Sequence, residues 1–207
     1  EIITCDWSSD VCSSDLDESL GTNTLAVYAK DGTLRVYDQN TGAVLTDTVV
    51  TPIEGLQRTD LYNVDGGWVW LRQYDNDDHE VTTRTICGPN GTNKALDLDA
   101  IKARYGAGFH GYLWPVTAAG GEFYLSVSYQ GPGQNWLYDL IDSTGNVVLA
   151  GLGSCNGYYT DTANPLPDGV FVARKGFEYG WMDLHGQWVY CQNIFYSSGD
   201  DAENYYF

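Results

Sequence analysis

Few residues in this chain have the type and spacing that chemistry needs. Gly153-Ser-Cys-Asn-Gly157 places Cys155 in the spacing of a nucleophile elbow. An elbow needs a strand before the nucleophile and a helix after it. The following Tyr158–Pro165 stretch has no helical pattern, so the segment reads as a Gly-rich loop. Tyr74-Asp-Asn-Asp-Asp-His-Glu80 gathers Asp75, Asp77 and Asp78 within reach of one another, and carboxylate oxygens are what Ca²⁺ takes. The stretch lacks the Gly and the distal Glu of an EF-hand loop, and its plainer reading is a solvated hairpin tip. His79, His110 and His185 share no metal-ligand spacing with one another or with cysteine. His110, in Gly106-Ala-Gly-Phe-His-Gly-Tyr-Leu-Trp-Pro115, is surrounded by aromatics and is the histidine with the best case for touching a ligand. Trp70, Trp114 and Trp136 complete the candidate binding set with it. Exposed aromatics stack on sugars or anchor a partner protein. Their competing use is to fill the space between packed sheets. No phosphate loop, dinucleotide Gly pattern, zinc signature or Ser/His/Asp set occurs, so no catalytic residue is assigned and no cofactor is expected beyond the weak Ca²⁺ candidate. Paired carboxylates for glycoside cleavage can lie far apart in a chain, and none can be singled out.

Charge narrows the partners. The 207 residues hold 10 Lys plus Arg against 28 Asp plus Glu, a net charge of −18. A polyanion would be repelled, and few cations could release its counterions, so nucleic acid is excluded as a partner. At 43% apolar residues a packed core is within reach, and no apolar run approaches membrane-spanning length.

Residues 1–16 stand apart. They have neither helical nor strand periodicity and no signal-peptide pattern. With one choice of codons, Asp6–Leu16 back-translates into a string that looks like a common short-read sequencing adapter. The segment is therefore set aside as an artefact of metagenomic reads, with a flexible Ser/Asp-rich tail as the alternative. On that reading the true N-terminus, and any signal peptide on it, is missing. Without Glu1, Asp6, Asp10 and Asp15 the net charge is −14. Cys87, Cys155 and Cys191 are the cysteines left. A 155–191 disulfide between neighbouring repeats is one option and unpaired thiols are the other.

From Asp17 onward, apolar and aromatic residues come in short runs separated by turn residues. Thr24–Ala29, Trp68–Leu71, Glu122–Val127 and Val170–Ala173 are too short for helices and rich in β-branched or aromatic side chains. Gly66-Gly67, Gly120-Gly121 and Asp168-Gly169 precede several of them as turn signals. One helix is predicted near 97–105, capped by an Asp, with Lys102 and Arg104 near its end and Gly106 after it.

The runs repeat. Tyr138-Asp-Leu-Ile-Asp-Ser-Thr-Gly-Asn-Val-Val-Leu149 matches Tyr179-Gly-Trp-Met-Asp-Leu-His-Gly-Gln-Trp-Val-Tyr190. Leu34–Leu45 is a looser copy and Thr85–Gly91 a poor one. In each good copy a strand ends in Asp, a Gly turns the chain and a second strand leaves. Asp142 with Gly145, and Asp183 with Gly186, are the structural turn residues: Asp bonds back to the turn backbone and Gly accepts a positive φ. The repeats are placed at about 24–66, 67–120, 121–168 and 169–207, all within one domain spanning 17–207. The predicted fold is all-β: an antiparallel β-repeat, propeller-like, with about four blades of an incomplete propeller.

Asp168-Gly-Val-Phe-Val-Ala-Arg174, followed by Tyr179-Gly-Trp-Met-Asp183, Gly186 and Trp188-Val189, resembles a WG repeat. Copy three departs from that pattern, because Asp139 stands where the family has Gly. Asp31–Asp38 with Thr41-Gly42 is more like a generic propeller blade. The resemblance implies a bacterial, often exported repeat protein and assigns no reaction. The expected function is a non-catalytic binding module of an exported, extracellular or cell-surface protein, presenting aromatics to a protein or glycan. A fragment of a propeller enzyme acting on carbohydrate, and a structural spacer domain, are the alternatives.

Overall fold

The computed structural model describes residues 24–29, 31–51, 56–77, 79–80, 83–156 and 166–193. The chain is all-β with one short helix, and its strands form four antiparallel sheets in chain order. The first holds β1 (Thr24–Tyr28), β2 (Thr33–Asp38) and β3 (Val44–Val49). The second holds β4 (Leu56–Val64), β5 (Trp68–Asp75), β6 (Thr83–Gly88) and β7 (Thr92–Asp97). The third holds β8 (Phe109–Ala119), β9 (Glu122–Gln130), β10 (Trp136–Asp142) and β11 (Val147–Leu152). The fourth holds β12 (Ser154–Asn156), β13 (Val170–Lys175), β14 (Glu178–Asp183) and β15 (Trp188–Asn193). Within every sheet, strands adjacent in sequence are adjacent in space, which keeps connections short.

The helix α1 (Leu98–Tyr105) lies between the second and third sheets in the chain. Its boundaries agree with the sequence prediction, and the physical signals are the expected ones. The Asp97 carboxylate accepts the Ala100 amide at 3.0 Å, Lys102 and Arg104 lie in the last turn, and Gly106 leaves at φ 57°. Leu98 and Ile101 are its buried side chains.

The β10–β11 and β14–β15 turns use one device. Asp142 Oδ1 accepts the amides of Thr144 and Asn146, both at 2.9 Å. Asp183 Oδ1 accepts those of His185 and Gln187 at 2.9 and 2.8 Å. Gly145 and Gly186 take φ of 85° and 75°, where an L side chain would be strained.

Alternation along each strand sends its side chains to opposite faces, and both faces of the inner sheets are buried. Three apolar clusters result, each joining consecutive sheets. Leu34 and Val36 meet Val69, Leu71 and Cys87 between the first and second sheets. Trp68, Trp70 and Ile86 meet Phe123, Leu125 and Ile141 between the second and third, with Ile101 of α1. Val116, Leu140 and Leu152 meet Phe171, Ala173 and Met182 between the third and fourth. Polar bonds cross the same seams. Thr46 Oγ1 donates to the Gly67 carbonyl at 2.6 Å, Lys94 reaches Glu122, and the Gly169 amide donates to Thr117 Oγ1 at 3.1 Å.

The sheets are phased one strand earlier than the sequence repeats. β4, β8 and β12 each belong with the strands that follow them, not with those before. The run Gly153–Gly157 also differs from its sequence reading. Ser154–Asn156 is strand β12, paired to β13, with Cys155 fully buried. Cys155 and Cys191 do not bridge repeats either. Both lie in the fourth sheet, on β12 and β15, three strand steps apart. That separation is about 14 Å, twice the Cα spacing a disulfide spans. Cys87, Cys155 and Cys191 are all free thiols.

Candidate functional site

Two of the predicted aromatics, Trp70 and Trp114, contact one tyrosine, and Trp70 also flanks an arginine. On β5, Trp70, Arg72 and Tyr74 alternate onto one face, and the register sets Tyr62 of β4 across from Trp70. The Tyr62 and Trp70 rings are 5.5 Å apart, and Trp114 of β8 meets Tyr62 edge-on at 6.3 Å. The Arg72 guanidinium lies 5.5–6.0 Å from the ring centres of Tyr62, Trp70 and Tyr74. It is fixed by Glu80, with Nε to Oε1 at 3.3 Å and Nη2 to Oε2 at 3.1 Å. Burial pulls the arginine's pKa down, but the Glu80 pair and Tyr62 outweigh it and hold it above the ordinary value. Both charges of this fork are mostly sheltered, so the cluster ties the β5–β6 hairpin together as an aromatic-flanked ion pair. Trp70 itself is fully buried in the seam between the second and third sheets.

The other predicted members lie elsewhere. Trp136 opens β10 on a different sheet and is 45% exposed. His110 lies near the start of β8, and Phe109 beside it pairs with Tyr129 of β9. Asp75 accepts the amides of Asp77 and His79 at 2.9 Å each and holds His79 Nδ1 at 3.7 Å, so it caps the loop from within. Backbone donors at His79 and Asp77 hold its carboxyl below the usual range. Asp78 lies outside the described residues. Among the described residues, no three His, Cys, Asp or Glu side chains come together in a metal-holding group.

Sequence reasoning missed two polar centres. Asp139, 5% exposed, accepts Tyr105 Oη at 2.9 Å, Tyr129 Oη at 3.0 Å and the Gly151 amide at 2.8 Å. It occupies the repeat position of Gly180, 41 residues on. At Gly180 a Cβ would lie 2.1 Å from the Tyr190 carbonyl oxygen. Opposite Asp139 the β10–β11 register slips, so β11 bulges and makes room for the larger side chain. Burial, then the Asp139 contact, pushes the Tyr129 phenol up to about 12. The second centre is Glu122, which accepts Lys94 Nζ at 2.8 and 2.6 Å through its two oxygens, the Phe123 amide at 3.0 Å, and the Ser143 hydroxyl. Both are acceptors filled by their own scaffold.

Exposed large apolar side chains follow a different distribution. Leu25, Val27, Val44 and Val49 lie on the first sheet, and Trp181, Val189 and Tyr190 on the fourth, with Phe177 in its β13–β14 turn. Among the described residues, only Trp136 and Val147 lie on an inner sheet. No helix among the described residues is long and apolar enough to cross a membrane.

Face-packed antiparallel sheets in chain order define an all-β repeat scaffold whose described polar clusters brace its seams. A family model described as a domain of unknown function (DUF5046) matches residues 8–201, and the chain belongs to that family. The matched range takes in the last nine residues of the adapter-like stretch. No curated protein matches the chain.

Proposed function

We propose that the chain is a non-catalytic interaction module of propeller-like, WG-repeat-related design, exported by its host, that binds another protein through the outer faces of its first and last sheets. The observation that carries this reading is the placement of the exposed apolar side chains: among the described residues, seven of ten lie on those two sheets and an eighth, Phe177, in the turn between β13 and β14. Aliphatic and aromatic side chains together on flat sheet faces suit a protein surface better than a sugar, which needs a stacking ring beside polar donors. The Trp181–Tyr190 ring pair, centroids 5.5 Å apart, is the natural anchor. Consecutive first strands also touch, β4 with β8 and β8 with β12, as strands nearest a propeller axis would.

The test is a binding screen against a protein panel and a glycan panel, run with the wild-type chain and Tyr190→Asp. The expected result is protein binding that Tyr190→Asp removes while circular dichroism is unchanged. Glycan binding indifferent to Tyr190, or turnover of a carbohydrate substrate, would overturn the reading.

A further inference from the structure

The four sheets follow one inside–outside rule, and it is left open at both ends. Two residues precede the turn on the strand that enters each hairpin. The earlier one, Val36, Ile86 or Leu140 in the first three sheets, is buried against the following sheet. The later one, Cys87, Ile141 or Met182 in the last three, is buried against the preceding sheet. The remaining members are Trp181, which faces forward from the fourth sheet, and Tyr37, which faces backward from the first. No sheet among the described residues covers either face. Trp181 is 43% exposed, and Val44, paired with Tyr37, is 52% exposed.

The turn glycines give an independent sign of the same gap. A Cβ built on Gly91, Gly145 or Gly186 would meet the preceding sheet, at Asp47 O (4.0 Å), Leu96 Cδ1 (3.7 Å) and Leu149 Cδ2 (3.1 Å) respectively. Each hairpin turn thus sits on the last strand of the sheet before it. The counterpart Gly42 has nothing within 4 Å. Its missing seat has a counterpart at the other end, for Tyr190 stands on β15 where Leu149 stands on β11.

Charge permits the two ends to meet. The backward face of the first sheet carries Arg35 paired with Asp47 at 3.2 Å, and the register places Arg174 and Asp183 on the forward face of the fourth. Counting the described residues, each face is neutral in a chain of net charge −18.

We infer that a second copy of this chain docks head to tail. The first sheet of one copy covers the last sheet of the other, with the Gly42 turn over Tyr190 and with Leu25 and Val44 against Trp181. The contact continues the sheet-on-sheet stacking already used three times within the chain. The inference deepens the reading of the end faces as protein-binding surfaces and depends on it.

Sedimentation velocity on the full chain up to about 100 µM tests it, since a weak heterologous contact falls in that range. The expected result is association of two or more copies, stronger at about 0.5 M NaCl, where repulsion between acidic copies is screened. Trp181→Arg removes the forward face and Val44→Lys the backward face, and each alone should weaken association at least about ten-fold. Mixing the two variants should restore a one-to-one complex, because each retains the face the other lacks. Both positions are exposed, and circular dichroism checks that each variant is folded. A wild-type chain that stays monomeric overturns the inference, as does a mixture that fails to associate. Association that persists in Val44→Lys alone also overturns it, in favour of a symmetric pairing of last sheets. If the copies do not associate but Trp181→Arg abolishes binding to a different protein, the broader reading stands and only the self-docking fails. If Trp181→Arg changes neither, both fall.

Discussion

Replacing Glu122 by Gln tests whether the polar bridge between the second and third sheets helps to hold them. Lys94 and Glu122 are each about a quarter exposed, 25% and 28%, so water screens the pair only in part. A Gln has the same shape but turns one acceptor into a donor that faces the Lys94 ammonium. It also leaves that ammonium without its countercharge and weakens the acceptor offered to Ser143, which is fully buried. A hydrogen bond to a charged group contributes about 1.5–3 kcal/mol, and partial exposure argues for the lower half of that range, about 2 kcal/mol. In urea, with a slope of about 2.5 kcal/mol/M for a chain of this size, the midpoint should fall by about 0.8 M. The sign of the pH dependence follows from the carboxyl. Burial pushes its pKa up, but Lys94, Ser143 and the Phe123 amide outweigh that and hold it below the usual range. The folded value therefore lies below the unfolded one. The stabilisation is present in full above the unfolded value of about 4.3 and is lost as pH falls through the folded value. Urea titrations at neutral pH and at about pH 3 should show a gap between wild type and Glu122→Gln that narrows on acidification. Midpoints within about 0.2 M at neutral pH, or a gap that survives acid unchanged, would refute the reasoning.

Three further outcomes are expected. Asp183→Ala removes the acceptor for the His185 and Gln187 amides, and should cost about 1–2 kcal/mol and raise hydrogen exchange at those two amides selectively. Gly88→Ala should destabilise by about 2–3 kcal/mol and change tryptophan emission, because the new Cβ would fall 2.5 Å from the buried Trp68 ring. Brief alkylation of the native chain should label Cys191 and leave Cys87 and Cys155 unmodified until denaturant is added, as read by peptide mass spectrometry. Burial pushes the Cys87 thiol up to about 12 and the Cys155 thiol higher still, while Cys191 is exposed.

What the sequence reveals is what local chemistry decides. Asp142 with Gly145 and Asp183 with Gly186 are readable because the acceptor, the donors and the positive φ all lie within five residues. The α1 boundaries are readable for the same reason, with cap and stop both present in the chain order. The grouping of strands into sheets is less visible. A Gly-Gly turn marks where a strand begins but not which neighbour it pairs with, so β4, β8 and β12 read as the ends of repeats although they open sheets. The Lys94–Glu122 bridge is hidden by the 28 positions that separate its members, and Arg72–Glu80 by the acidic tract around Glu80. Asp139 was visible only as a departure from the repeat. Its partners Tyr105 and Tyr129 come from α1 and β9, and nothing local announces them. Trp70 and Trp114 do both contact Tyr62, but alternation could not tell that one of the two rings would be fully buried.

The stacking of sheets has a consequence for how the chain comes apart. Each sheet touches its sequence neighbours, so stability is close to a sum of sheet terms and seam terms along one dimension. The inner sheets are held on both faces and the outer ones on a single face. Opening should therefore begin at the ends and move inward, with amides of β1–β3 and β13–β15 exchanging through partial openings while Trp70, Phe123 and their strands wait for global unfolding. Cooperativity in such a molecule depends on how many seams are closed. Closing one more at the ends would turn the least protected sheets into interior ones without altering a single residue inside them.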